Sequence, residues 1–383
     1  MNRPSLPGAH RNSKYESRNL KRNPNDSNAN VSNVGIYFEF TQGLIVKIVF
    51  FGSDAFSIKA LEACLHSGME LVLVITTPPQ KKGRGLKLES SEIFDYCQTK
   101  KLPVIEYPKL RDAKVSTDLL ALKPDIFVVA SYGKLIPGHL LEIPKYRLNV
   151  HPSLLPKYRG AAPIHWPILN GDRETGVSII DVAEKLDSGD IYCQERISID
   201  PRTDAVQLTS ELARFSYGLL KKVLTEVQEG KLRGIPQNEA EATLAPQLSK
   251  QDGELSLTAM TAEAMDRKVR GLQPWPGAYC FIKNERIAIL ETDLPSFRHS
   301  EQSDESERPQ GEILHLKAVQ DDEGEKPGTL LAIEKDGGIQ VATQKGSLKI
   351  IKVKPEGKNT MTAADFSRGR RFVLGTILQE RDS

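Results

Sequence analysis

The chain has 383 residues, more than one ordinary domain holds, so two or three domains are expected. Hydrophobic residues make up 39% and charged residues 27%, the balance of a globular protein in water, and no apolar run reaches the roughly 20 residues of a membrane span. A formal net charge of +2 excludes the strongly basic footprint of a dedicated nucleic-acid binder, so any such surface must be local.

Residues 1–45 are rich in Asn, Ser and Arg and show no period until about Val34, the composition of disorder. Order is expected from Val46. "VKIVFFGSD" reads as a buried strand over 46–51, a glycine turn, and Asp54 as a helix N-cap. A helix fits 55–66, a second apolar strand 71–75, and further continuous apolar runs occupy 125–130 ("DIFVVA") and 148–151. Apolar strands alternating with helices indicate a mostly parallel sheet covered on both faces, in an α/β domain. Such sheets bind ligands beyond the carboxyl ends of their strands, where His151 and the Ser131-Tyr132-Gly133 turn lie.

A long helix is expected over 208–227. Residues 229–253 then lose periodicity and gather Gly, Pro and polar residues, as a linker does. A helix fits 261–270. Short alternating runs follow at 279–282, 286–290, 329–333, 339–343 and 348–353, the pattern of a small barrel or sandwich. The stretch 293–326 is acidic and mostly aperiodic, an exposed insertion. Cys64, Cys97, Cys193 and Cys280 form no CxxC pair, which suits a reducing compartment and speaks against a structural zinc site.

The chemistry gathers in "RLNVHPSLLPKYRGAAPIHW", residues 147–166. Residues two apart on a strand face one side, so Asn149 and His151 project together into the crevice. An amide there can donate to a carbonyl oxygen gaining charge, and an imidazole can move protons near neutral pH. In "KLDSGDIY", Asp187 precedes a Ser-Gly turn and could reach the same crevice, where a carboxylate would orient the ring. No Ser or Cys nucleophile stands beside the histidine, so direct attack of a substrate amine on a carbonyl is implied. No metal-ligand spacing surrounds His151, and His139 and His165 lack it too. An isolated Asn-x-His or Asp-Ser-Gly-Asp is more often structural than catalytic, so these residues alone leave the matter open.

"NVHPSLLPKYRGAAPI", followed by "GVSII" and "LDSGD" and, further on, by "RGLQPWPGAY", resembles the folate-dependent formyltransferases, within them the methionyl-tRNA formyltransferase family. The resemblance covers the chain after Val46. It implies a Rossmann-like catalytic domain over 46–230, a linker over 231–251, and an OB-like β-barrel domain over 252–383 that binds tRNA. It implies 10-formyltetrahydrofolate as formyl donor, the α-amine of methionyl initiator tRNA as acceptor, no metal, and a role in translation initiation. It carries over Asn149, His151 and Asp187 as the catalytic set, and places Ser153, Leu154, Leu155 and Pro156 on the folate side of the crevice.

In this family the loop after the second strand reaches the acceptor end of tRNA. Here residues 76–92 supply Arg84 at its key basic position, with Lys81, Lys82 and Lys87 beside it. The family's early aspartate and its Pro-Ser-Pro ending are replaced by Pro79-Gln80 and by Glu89-Ser90-Ser91-Glu92. In the second domain Lys349, Lys352 and Lys354 are expected to track phosphate, with Arg368, Arg370 and Arg371 nearby. Family members open with Met, a basic residue and the first strand, so Val46 is expected to be the translation start, with residues 1–45 dispensable. A mitochondrial or plastid transit peptide and a basic phosphate-contacting arm are the alternatives. A cytoplasmic monomer is expected. The competing readings are a formyltransferase acting on an amino sugar or glycinamide ribonucleotide, the hydrolase module of a formyltetrahydrofolate dehydrogenase, and a non-catalytic RNA-binding protein.

Overall fold

Apolar runs alternating with helices build one central sheet with helices on both faces. The computed structural model describes residues 45–82, 87–295 and 325–378; the extension up to residue 44, Arg84, and residues 296–324 of the acidic stretch lie outside them. Strand β1 (Lys47–Gly52) turns through Asp54 into helix α1 (Ala55–Leu65), and the Asp54 carboxylate accepts from Ser57 N as an N-cap should. Then come β2 (Glu70–Thr76), a short hairpin of β3 (Gln80–Lys82) and β4 (Lys87–Glu89), α2 (Glu92–Lys100), β5 (Val104–Glu106), α3 (Ala113–Leu122), β6 (Ile126–Ala130), α4 (Gly138–Leu141) and β7 (Tyr146–His151). The chain continues through β8 (Arg159–Gly160), α5 (His165–Asn170), β9 (Glu174–Asp181), β10 (Ile191–Ser198) and α6 (Ala205–Gln228).

The sheet order is β10-β9-β7-β6-β1-β2-β5. The five strands from β7 to β5 run parallel; at one edge β9 runs against them, and β10, antiparallel to β9, runs with them again. Period-two alternation splits the buried residues. Ile48, Phe50, Val128, Leu148 and Val150 pack under α1 and α6. Val49, Phe51, Ile75 and Phe127 pack on the other face with Val115 and Leu119 of α3 and Leu140 of α4.

The stretch expected as a linker is not a bare tether. Ile235 bridges Ile191, and β11 (Leu244–Ala245) pairs in parallel with β8, so residues 235–245 lie along the first domain. The Cβ position of Gly160 would be 2.6 Å from Ala245 O, and its φ is +129°, so this close approach requires glycine.

The rest is α7 (Ala262–Gly271), β12 (Ala278–Ile282), β13 (Glu285–Asp293), β14 (Leu330–Ile333), β15 (Ile339–Ala342), β16 (Ser347–Pro355), β17 (Met361–Thr362) and α8 (Ala363–Gly369). Its antiparallel sheet runs β12-β13-β16-β15-β14, with β17 on β16, around a core of its own that includes Met265, Ile287, Val341 and Ile350. Helices α5 and α7 join the two parts: His165 Nδ1 donates to Gly271 O at 2.8 Å and Arg267 Nε to Leu169 O at 3.2 Å. Asp266, 1% exposed, accepts from Arg202, Arg270 and Thr292 at the same junction.

Candidate active site

Leu148 and Val150 of β7 enter the core under α1 and α6, which turns Asn149 and His151 to the opposite side of the strand. His151 ends β7 and is 4% exposed. Its Nε2 lies 2.8 Å from Tyr158 O; a carbonyl only accepts, so Nε2 carries the proton. Its Nδ1 faces Asp187 Oδ2 at 3.6 Å. Both ring nitrogens therefore face oxygen, an arrangement with a partner for each N–H of an imidazolium.

Asp187 sits in the loop between β9 and β10 with φ +49°. Its Oδ1 accepts from Asn149 Nδ2 at 3.1 Å and its Oδ2 from Gly160 N at 2.9 Å. The structure thus joins Asn149, His151 and Asp187 in one contact network. One amide N–H of Asn149 is spent on Asp187, leaving a second for a ligand oxygen. A chain bringing an amide, an imidazole and a carboxylate together at a strand's carboxyl end has the parts for acyl transfer to an amine without a covalent intermediate.

The loop after β7 is fixed from the neighbouring strands. Ser153 is fully buried and its Oγ donates to Lys157 O. Ser178 Oγ of β9 donates to Ser153 O and accepts from Leu155 N, and Gln194 Nε2 of β10 donates to Leu155 O. Leu155 is buried, Leu154 and Pro156 are partly so, and the Leu155-Pro156 bond is cis. These four residues form a rigid wall next to His151.

The expected basic residues separate into two groups. Lys81, Lys82 and Lys87 lie on the β3–β4 hairpin, while Arg84 is outside the described residues. In the second domain, Lys349 is largely covered and its Nζ binds Glu334 and Asp336; the Asp336 contact, then that with Glu334, pushes its pKa up. Lys352 pairs with Glu291 at 2.5 Å. These two lysines have acidic partners within the protein, so phosphate would have to compete for them. Lys354 shares β16 with both and is partly buried.

Residues that sequence reasoning passed over complete the site. Tyr158 supplies the acceptor for His151, Gly160 supplies an N–H to Asp187, and Ser178 and Gln194 hold the loop. For Tyr158 and Gly160 a signal was within reach: the Lys-Tyr-Arg-Gly run starts six residues after the histidine. Among the described residues no group of three or more His, Cys, Asp or Glu side chains could hold a metal ion.

Comparison with known proteins places this geometry in context. Residues 46–224 match the family described as formyl transferase, and residues 247–371 match the formyl transferase C-terminal domain. A methionyl-tRNA formyltransferase of Thermodesulfovibrio yellowstonii is 36% identical over 329 residues, covering 86% of this chain and 97% of that protein. One from Thermus thermophilus is 38% identical over 334 residues, covering 87% and 99%. Among solved structures, an N-formyltransferase from Helicobacter canadensis superposes with a TM-score of 0.55 at 17% identity, covering 80% and 98%, a likeness of fold.

Proposed function

The chain belongs to the formyl transferase family, and from that premise we propose how it works: it transfers a formyl group from 10-formyltetrahydrofolate to the α-amine of methionyl initiator tRNA, supporting translation initiation. The observation that carries the reading is the convergence of Asn149, His151 and Asp187 at the carboxyl end of β7. The amine nitrogen attacks the formyl carbon and a tetrahedral intermediate forms. Asn149, through its second amide N–H, donates to the oxygen as it gains charge. His151, its ring held between Tyr158 O and Asp187, steadies that charge and handles the proton lost by the amine. The bond from the formyl carbon to the folate 10-nitrogen breaks, that nitrogen takes up the proton, and tetrahydrofolate and formyl-methionyl-tRNA result.

The segment Ser153, Leu154, Leu155 and Pro156, with Leu154 and Pro156 partly exposed, supports an adjacent seat for the flat folate. We assign Lys81, Lys82 and Lys87 of the β3–β4 hairpin, together with Arg84, to the tRNA acceptor end, and Lys349, Lys352 and Lys354 to the second domain's contribution to that surface. All three catalytic residues come from one chain, which supports a monomer as the working unit. No helix among the described residues is long and apolar enough to cross a membrane, and we place the reaction in the cytoplasm. The two family matches, over residues 46–224 and 247–371, support residues 46–230 as the catalytic domain and the stretch after 251 as the tRNA-binding one.

His151→Ala and Asn149→Ala are each expected to lower turnover by about 10²-fold or more while folate still binds. Formylation of charged initiator tRNA, followed beside folate binding by titration, is the measurement. Near-normal turnover in either variant overturns the assignment. Arg84→Ala is expected to raise the tRNA concentration needed for half-maximal rate and leave folate binding unchanged.

A further inference from the structure

We propose that Gln237, held by Arg159, is a positioning residue for Asp187: a side chain from the interdomain stretch that fixes the catalytic carboxylate in place. The proposal rests on the functional reading above. Asp187 adopts a left-handed backbone, φ +49°, uncommon outside glycine though more accessible to Asp than to most residues. Gln237 fastens the loop in that conformation. Its Nε2 donates to two carbonyls of the Asp187 loop, Asp187 O at 2.8 Å and Gly189 O at 2.7 Å. Its Oε1 accepts from Arg159 Nε at 3.1 Å and Nη2 at 2.7 Å. Donors lie on one side and acceptors on the other, so the amide has one orientation.

Arg159 is itself locked. It is 3% exposed, and its guanidinium forks onto Glu239, Nη2 to Oε1 at 2.7 Å and Nη1 to Oε2 at 3.1 Å. Glu239 also takes Lys185 Nζ at 2.8 Å, and the Arg159 contact, then the Lys185 contact, lowers its pKa to about 2. The residue after Arg159 closes the ring, because Gly160 N donates to the Asp187 carboxylate. One side-chain chain, Glu239 to Arg159 to Gln237, thus governs the backbone of Asp187, while Arg159's neighbour governs its carboxylate. Asp187 must hold its place against both Asn149 and His151, and a shift of an ångström there can cost about 10²-fold in rate.

The test is a double-mutant cycle read as kcat and KM. Gln237→Ala and Gln237→Glu are each expected to lower kcat by about 10–100-fold, with KM for tRNA and donor within a few-fold, since a positioning residue acts through Asp187 and not on a ligand. Gln237→Glu keeps the volume and puts oxygen against Asp187 O and Gly189 O, so it reports even if the alanine variant is poorly folded. Arg159→Lys keeps the charge, loses the fork and should behave like Gln237→Ala. In an Asp187→Ala background Gln237→Glu should cost nothing further. Unchanged kcat for both Gln237 variants, or equal losses with and without Asp187, overturns the proposal. Unchanged kcat for Asp187→Ala alone would instead strike at the catalytic assignment.

Discussion

Asp187 has more donors than an amide could serve. Asn149 Nδ2 reaches one oxygen and Gly160 N the other, with His151 Nδ1 beyond. In Asp187→Asn one of those oxygens becomes an NH2, which faces Gly160 N or else makes Asn149 turn its own amide and withdraw its N–H from the site. We expect a loss of about 10²-fold or more in kcat, together with roughly 1–2 kcal/mol of stability from the unmade hydrogen bond. Turnover and thermal unfolding of the same sample check both. Asn149 and His151 were legible because i, i+2 spacing at the end of an apolar run fixes a shared face. Asp187 was offered by its Ser-Gly turn and chosen through the resemblance, since nothing in its own neighbourhood fixes where a loop carboxylate points. Gln237 left no signal at all: it acts by bonding two carbonyls far away in the chain, a contact with no periodicity to detect.

At the level of elements, the strands were legible because a sheet covered on both faces writes itself as unbroken apolar runs. Less legible were pieces held by backbone pairing alone, such as the β3–β4 hairpin and the β8–β11 contact. The long helix was placed over 208–227, but its start at Ala205 is set by a capping box between Asp204 and Gln207. The α5–α7 contact carries a pH dependence. Burial lowers the pKa of His165 below its ordinary value of 6.5, against the opposing pull of Gly271 O. Folding therefore favours the neutral ring. That contribution is complete above pH 6.5 and is lost as pH falls through the lowered folded value. Melting temperature followed downward from pH 6.5 should drop more steeply in the native protein than in His165→Gln, whose amide can still donate to Gly271 O. Parallel curves for the two proteins would rule this out.

Across the whole molecule, Asp266 is the polar centre of the junction, binding Arg202 from the first domain and Arg270 and Thr292 from the second. Asp266→Ala takes a carboxylate from both arginines; Arg202 is half exposed and keeps Thr292 O and Asp293, and Arg270 keeps Thr203 O, so we expect a cost of about 2–3 kcal/mol, on the low side for a broken buried pair. Denaturant unfolding measures it. The passage from one buried core to the next was legible from the change in composition after residue 228. The stretch between them was not, because an extended segment that pairs through its backbone needs no apolar period. Its attachment has a consequence for how the protein comes into being. Asn149, His151 and Asp187 are all present once residue 187 has left the ribosome, yet Gln237 follows Asp187 by 50 residues and Thr243, which receives Tyr158 N, follows that residue by 85. A nascent chain that has just completed α6 therefore owns the whole sheet without the fastening of its site, and full turnover is expected only with the segment that leads into the second domain.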